Sequence, residues 1–510
     1  MLTADHQIAS GWPKAVRPLP DPADGAMGIV PICCAALAKG CFAARTVRLA
    51  GSRPEPIEPA MPGIRYNSPL LRRSRALITR RRHWRARAVF WLGALTVGLV
   101  STAFAKLADL AGETFRNVSA QGTSPWLILV LPLAFCFSAW VAQKYFPGAQ
   151  GSGIPQAMAA RELEGDDRGL YLTLRIAAGK ILLTLWGLLF GASIGREGPT
   201  VQIGAAIMLA SAHLGKLQHA RGLILAGSAA GIAAAFNTPL AGIVFAIEEM
   251  GRSYQARTNG VVLSTVVIAG ISALAISGSY TYFGTPKVVP DFPRDWWLVG
   301  VVGLLGGVLG AGFSKSALWL TRRIRRWKPA RGVWKLVVVA GGAGLAVAVL
   351  GLLSNGATFG TSYAEARSAV EGQPLAPGFF LAKLLATLAS TVSGIPGGLF
   401  APSLSVGAGM GHVVGSLFGS SLGLAAVLGM ASYFAGVVQS PMTAFVIVME
   451  MTATQGHALP VMTAAMLGYG VSRLLSPEPL YHGLARLWLA DALRLRRMRA
   501  ADSAHGGPQV

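Results

Sequence analysis

Gly195-Arg196-Glu197-Gly198-Pro199 breaks a long apolar region with two opposite charges, two glycines and a proline. Ionisable residues at membrane depth are costly and mark function. A glycine-rich turn followed by proline reads as a helix start, because proline is tolerated at the first helical position. The unpaired N–H groups of such a start attract anions. An acid, Glu197, therefore stands where an anion would bind.

The composition around this stretch is that of a membrane chain. Of 510 residues, 53% are hydrophobic and only 13% charged, against about 25% charged in soluble domains. The mean hydropathy is +0.51. Apolar segments recur from about Val89 to Val471, many near the ~20 residues that cross a bilayer. Short alternating strands, the mark of a membrane barrel, are absent from the pattern. The expected fold class is an all-α polytopic membrane protein. The net charge of +23 gathers outside the apolar segments, at Arg72 to Arg87, Arg322 to Arg331 and Arg486 to Arg499. The positive-inside rule places these segments, and both termini, on the cytoplasmic side. No recognition motif accompanies the charge, so nucleic acid is not expected as a partner. Cys33, Cys34, Cys41 and Cys136 match no zinc or redox spacing.

Three regions are expected: a mostly disordered basic cytoplasmic tail over 1–87, a transmembrane domain over 88–490, and a cytoplasmic tail over 491–510. The membrane domain reads as two halves, about 88–280 and 295–475. Lys180 falls on Lys383, and Gly195, Pro199 and Gly204 fall on Gly398, Pro402 and Gly407 in the same register. Gly227, Pro239 and Glu248 fall on Gly429, Pro441 and Glu450, one residue out of that register. Coincident Lys, Pro and Glu positions are hard to obtain from chance similarity of Gly/Ala-rich segments. Repeats with short, Gly/Pro-interrupted helices in corresponding places point to a transporter site near the midplane. Such breaks stand at Gly151 to Pro155, Gly195 to Pro199, and Gly397 to Pro402. Irregular backbone at that depth is tolerated only inside protein or beside a water-filled cavity. The polar segment from Ser354 to Pro377 reads as a loop.

Gly151-Ser152-Gly153-Ile154-Pro155, Gly195-Arg196-Glu197-Gly198-Pro199 and Gly398-Leu399-Phe400-Ala401-Pro402 resemble the three anion-site motifs of the CLC chloride channel and transporter family. Pro479-Leu480-Tyr481 resembles the late segment that brings that family's site tyrosine. The resemblance covers about Ala88 to Ala490 and implies an inverted repeat with broken, re-entrant helices, in a homodimer whose subunits each hold an ion pathway. It implies that Ser152 and Tyr481 offer hydroxyls to chloride, with Gly153 and Ile154 in the same break as Ser152. The backbone N–H groups of Leu399 and Phe400 would complete the site. Glu197 matches the gating glutamate, and Glu249 the internal proton-transfer glutamate of the exchangers. Gly195, Arg196, Gly198, Pro199 and Glu248 are given structural roles beside the site. Gln156 departs from the family's usual glutamate, so Lys180 is left without a usual carboxylate partner. No regulatory CBS pair follows, which suits a prokaryotic member.

Plainer readings stand beside these. Ser152 also suits close helix packing, Tyr481 an interfacial aromatic belt, and Glu248-Glu249 the mere end of a helix. Burial favours a neutral acid at Glu197 while a helix N-terminus favours its carboxylate; a group held between those pushes can take and release protons. The expected function is chloride/proton antiport in a bacterial inner membrane, with chloride, the proton and the lipid bilayer as partners. A passive chloride channel of the same fold is the alternative. No cofactor, metal or catalytic chemistry is implied.

Overall fold

The computed structural model describes residues 81–120, 125–215, 220–251, 256–278, 282–286, 295–327, 332–454, 456 and 458–504. The tail expected over 1–87, with Cys33, Cys34 and Cys41, lies almost wholly outside them. Helices dominate, and among the described residues no strand forms beyond two isolated bridge pairs. Among the described residues, seven helices are long and apolar enough to cross a membrane.

The first half begins with α1 (Arg81–Ala120) and α2 (Leu127–Tyr145). Three helices follow: α3 (Ile154–Glu162), α4 (Leu174–Leu189) and α5 (Glu197–Gly215). Then come α6 (Ala220–Phe236), α7 (Pro239–Phe245), a π turn (Ala246–Met250) and α8 (Ala256–Ser277). The second half repeats the order: α9 (Trp296–Arg326), then α10 (Gly332–Leu336) joined through a π turn to α11 (Gly342–Leu353), then α12 (Tyr363–Val370), α13 (Phe379–Val392), α14 (Phe400–Leu417), α15 (Leu422–Val438), α16 (Pro441–Thr452) and α17 (Ala458–Leu475). A final helix, α18 (Leu480–Ala504), lies outside the repeat. The boundaries expected near 87/88 and 490/491 both fall inside helices, α1 and α18.

The segment read as a polar loop, Ser354 to Pro377, contains α12. Tyr-Ala-Glu-Ala-Arg-Ser-Ala-Val is short and half polar, and its buried face is only Ala366, Ala369 and Val370, so no apolar run announces it. It occupies the place in the second half that α3 occupies in the first. Matched lysines hold the two preceding loops in the same manner. Lys180 Nζ donates to the carbonyls of Ala149 and Gly151, both at 2.7 Å, and Lys383 Nζ to those of Thr358 and Gly360, at 3.0 and 2.7 Å. Both lysines are fully buried, and backbone carbonyls are the partners that membrane-depth cations take.

Close helix approach also repeats. A Cβ on Gly204 of α5 would collide with the Gly227 carbonyl of α6, and one on Gly407 of α14 would lie 2.5 Å from the Gly429 carbonyl of α15. These four glycines are the matched pairs of the sequence alignment. Small residues permit such crossings where no hydrophobic drive separates helix from lipid. The buried core is correspondingly rich in alanine along α6 and α15, while large apolar side chains such as Leu129, Leu182, Ile271 and Leu304 face outward.

Candidate functional site

The three breaks predicted from sequence are bonded to one another through their backbones. Gly151 N–H donates to Ile395 O and Gly397 N–H to Gly151 O, both at 3.1 Å. Gly195 N–H donates to Gly398 O at 2.8 Å, and Gly398 N–H returns a bond to Gly195 O at 2.7 Å. These exchanges bring the starts of α3, α5 and α14 to one buried place, with irregular backbone satisfying irregular backbone. Gly198 must lack a side chain here: a Cβ would sit 2.8 Å from Ser152 O and 3.1 Å from Gly398 Cα.

At the first break Gly153 has φ +108°, a conformation that favours glycine. Its N–H donates to Gln156 Oε1 at 3.0 Å, and the Gln156 amide donates to Gln150 O. A glutamate at 156 could accept the first bond but, ionised, could not donate the second. Gln156 and Lys180 thus hold the loop before α3 from two sides, without a carboxylate. Ser152 is buried, and its Oγ has no partner among the described residues.

At the second break α5 begins at Glu197, and Thr200 N–H makes the first backward bond, to Arg196 O, at 3.1 Å. The N–H groups of Glu197 and Gly198 remain at the mouth, since Pro199 has none. Glu197 is wholly buried. Its carboxylate reaches toward its own N–H and that of Ala401, the second residue of α14, without forming a well-aligned bond. Arg196 turns elsewhere: its guanidinium pairs with Asp109, donates to Ala105 O at 2.6 Å and lies 5.2 Å from the Tyr282 ring centroid. Sequence reasoning gave Arg196 no partner outside the break; Asp109 and Tyr282 supply two.

At the third break Ser403 N–H bonds Leu399 O at 2.9 Å, so α14 opens with the N–H groups of Phe400 and Ala401 at its mouth. The Phe400 ring is packed among Phe434 at 4.7 Å, Tyr481 at 6.0 Å, Phe245 at 6.1 Å and Phe236 at 6.2 Å. Tyr481, at the start of α18, is fully buried, and its hydroxyl stands near the Ser152 hydroxyl without a well-formed bond between them. Two hydroxyls and several helix-start N–H groups therefore converge, with no well-formed acceptor for the hydroxyls among the described residues. Buried polar groups are nearly always paired, and this donor set suits an anion. A cavity of about 280 Å³ leads from Ser152 and Leu399 to Arg325, Lys335 and Trp488.

Glu248 and Glu249 lie on the π turn after α7 and divide as adjacent helical residues must. Glu248 accepts from Met442 N–H at 3.1 Å, Thr443 N–H at 2.6 Å and the Thr443 hydroxyl at 2.7 Å, capping α16. Its repeat mate Glu450 accepts from Leu240 and Ala241 N–H, at 3.2 and 2.7 Å, capping α7. Each half thus caps the other's proline-started helix. Glu249 is buried apart from the three-break cluster, accepting from the Ser440 hydroxyl with its other oxygen 3.5 Å from His482 Nδ1. Both Glu249 and Glu197 are near enough to act electrostatically on the Tyr481 hydroxyl. Ser440 and His482 were missed in sequence. Ser440 matches Thr238 across the repeat, and His482 directly follows the tyrosine already singled out.

A family profile described as "Voltage gated chloride channel" matches residues 133–473. An H(+)/Cl(-) exchange transporter ClcA of Yersinia pestis bv. Antiqua (strain Angola) is 32% identical over 446 residues, covering 82% of this chain and 91% of that one. The transporter of that name from Citrobacter koseri is 31% identical over 416 residues, 77% of this chain and 86% of that one. Among solved structures, a slow cyanobacterial Cl-/H+ antiporter aligns with a TM-score of 0.68 and 26% identity over 80% of this chain and 98% of that one. A CLC-type fluoride/proton antiporter aligns with a TM-score of 0.66 and 26% identity over 77% and 96%.

Proposed function

The chain belongs to the voltage-gated chloride channel (CLC) family, and on that footing we propose that it exchanges chloride for protons across a bacterial inner membrane. Chloride rests between the hydroxyls of Ser152 and Tyr481 and the N–H groups of Leu399 and Phe400, with Gly153 and Ile154 lining the first break. A site made of hydroxyls and partial charges holds an anion without the grip of a full cation, so the ion can leave. Glu197 competes for the donors at the starts of α5 and α14. Ionised, it occupies the position of an anion; protonated, it loses its charge and yields. Glu249 exchanges that proton with the cytoplasm.

One observation carries this reading: the Glu197 carboxylate lies against the Ala401 N–H at the mouth of α14, the helix start that also serves chloride. Orientation follows from charge. Arg322, Arg325 and Arg486 cluster through Glu478 and Asp491 at the end of α9 and along α18, and such basic ends favour the cytoplasm. Apolar residues exposed on α7, α8, α16 and α17, among them Leu240, Leu263, Met442 and Met466, form the face on which a second copy completes a homodimer.

The test is purified protein in liposomes under a chloride gradient, with both fluxes recorded. Antiport drives protons uphill against their own gradient. Chloride flux with no proton movement would assign the protein to passive conduction instead.

A further inference from the structure

His482 lies between Glu249 and a cavity that no part of the anion pathway uses. Its Nδ1 is buried, lacks a well-formed hydrogen bond and stands 3.5 Å from Glu249 Oε1. The side chain is nevertheless 16% exposed, so the exposed edge is the one away from Glu249. That edge lines a cavity of about 220 Å³ together with Arg161, Glu162, Met250 and Arg486. One nitrogen thus addresses a buried acid, and the opposite ring edge addresses space bordered by charged residues. Glu249 itself is 2% exposed in its side chain and has no other titratable neighbour bonded to it, its second oxygen being taken by Ser440.

We propose that His482 is the proton relay between Glu249 and the cytoplasmic water, a role that rests on the antiport reading of Glu249. A proton taken from cavity water at the outer nitrogen makes the imidazolium. The Nδ1 proton then passes to the Glu249 carboxylate, leaving the neutral tautomer. To reset, the ring turns Nδ1 to the cavity water, Nδ1 takes up a proton there while the outer nitrogen releases one, and the ring turns back with Nδ1 protonated. Histidine suits the task because its two nitrogens do both halves of the transfer near neutral pH. A separation of 3.5 Å is slightly long for transfer, and such contacts tighten in the working state.

The charged and titratable groups around the ring come from each packed element. Glu249 faces it from the π turn, Arg161 and Glu162 from α3, and Arg486 from its own helix, α18. Arg161 is anchored on Met250 O and Arg486 on Glu478.

The experiment compares wild type, His482→Gln and His482→Ala in liposomes, recording chloride-driven proton uptake while the pH on the cytoplasmic face is varied from about 5 to 8. The expected result is a proton flux at least ~10-fold lower in His482→Gln, with the wild-type pH profile flattened. Imidazole supplied on the cytoplasmic side restores flux to His482→Ala. Anion flux in Glu197→Gln/His482→Gln matches that of Glu197→Gln alone, which a packing role for the ring would not allow. Wild-type proton rates and pH profile in His482→Gln overturn the relay, as does a lowered anion flux in the double variant. Absence of uphill proton movement in wild type overturns the antiport reading itself, so the two failures are separable.

Discussion

Glu197→Gln separates a protonatable gate from a structural acid. The ionised carboxylate faces two backbone donors, its own N–H and that of Ala401. Hydrogen bonds to a charged acceptor contribute about 1.5–3 kcal/mol each, and neutral ones about 0.5–1.5 kcal/mol. Two donors therefore hold a fully engaged carboxylate by roughly 3–6 kcal/mol and an amide oxygen by roughly 1–3 kcal/mol. The difference, at most about 2–3 kcal/mol because the two contacts are not well aligned, weakens the gate's hold on the helix mouth by up to roughly 30- to 150-fold. Chloride in solution competes better for the mouth by the same ratio. Glutamine is also close in size to glutamate, so the packing around the break is kept.

Three results are expected from this substitution. Chloride binds more tightly to detergent-purified Glu197→Gln by calorimetric titration. Chloride flux in liposomes persists but lacks the rise expected of wild type as pH falls, because in the proposed cycle Glu197 leaves the mouth on protonation and glutamine has no such step. Uphill proton movement disappears. Intact chloride-driven proton uptake in Glu197→Gln would falsify the gate assignment. A wild-type pH profile for its anion flux would do so independently, since that profile would then belong to another group.

Glu249→Val is expected to retain chloride transport and lose proton movement, and unchanged proton uptake in liposomes would remove it from the pathway. Glu248→Ala and Glu450→Ala each strip the cap from a proline-started helix, a loss of about 0.5–2 kcal/mol. Each should lower the thermal midpoint in detergent by a similar amount, and a shift in only one would deny the reciprocal capping. Gly198→Ala places a Cβ 2.8 Å from Ser152 O and 3.1 Å from Gly398 Cα, where only backbone could give way. The expected outcome is loss of anion flux, with the yield of folded protein reduced; normal flux would mean the three breaks are less tightly joined than their bonds indicate.

The breaks, their order and most candidate site residues were readable because each departs from its apolar surroundings. Charge, glycine and proline are rare signals inside a membrane helix. Their meeting in space was readable only through the repeat and the family resemblance, since nothing in Gly195 to Pro199 states that Gly398 bonds it. Helix α12 was hidden because its eight residues are half polar and its buried face is only Ala366, Ala369 and Val370, though its place opposite α3 would have shown it. The roles of Lys180 and Gln156 were hidden for another reason. Their partners are backbone carbonyls, which every residue has and no sequence marks. His482 was overlooked because histidine carries meaning only beside an acid, and Glu249 is far from it in the chain.

The repeat explains the frame, and its violations explain the chemistry. Lys180 and Lys383 hold equivalent loops, Gly204–Gly227 and Gly407–Gly429 form equivalent crossings, and Glu248 and Glu450 cap each other's half. A frame with those symmetries alone has no reason to move a proton. Both proposed proton residues stand where the halves differ. In the registers that align the halves, Glu197 falls opposite Phe400, and Glu249 opposite Met451. Phe400 buries its ring among Phe236, Phe245, Phe434 and Tyr481, leaving the mouth of its helix to an outside anion. Glu197 instead brings an anion of its own to the same junction. In the proposed cycle one break offers donors, the other offers a tethered competitor, and a proton decides between them.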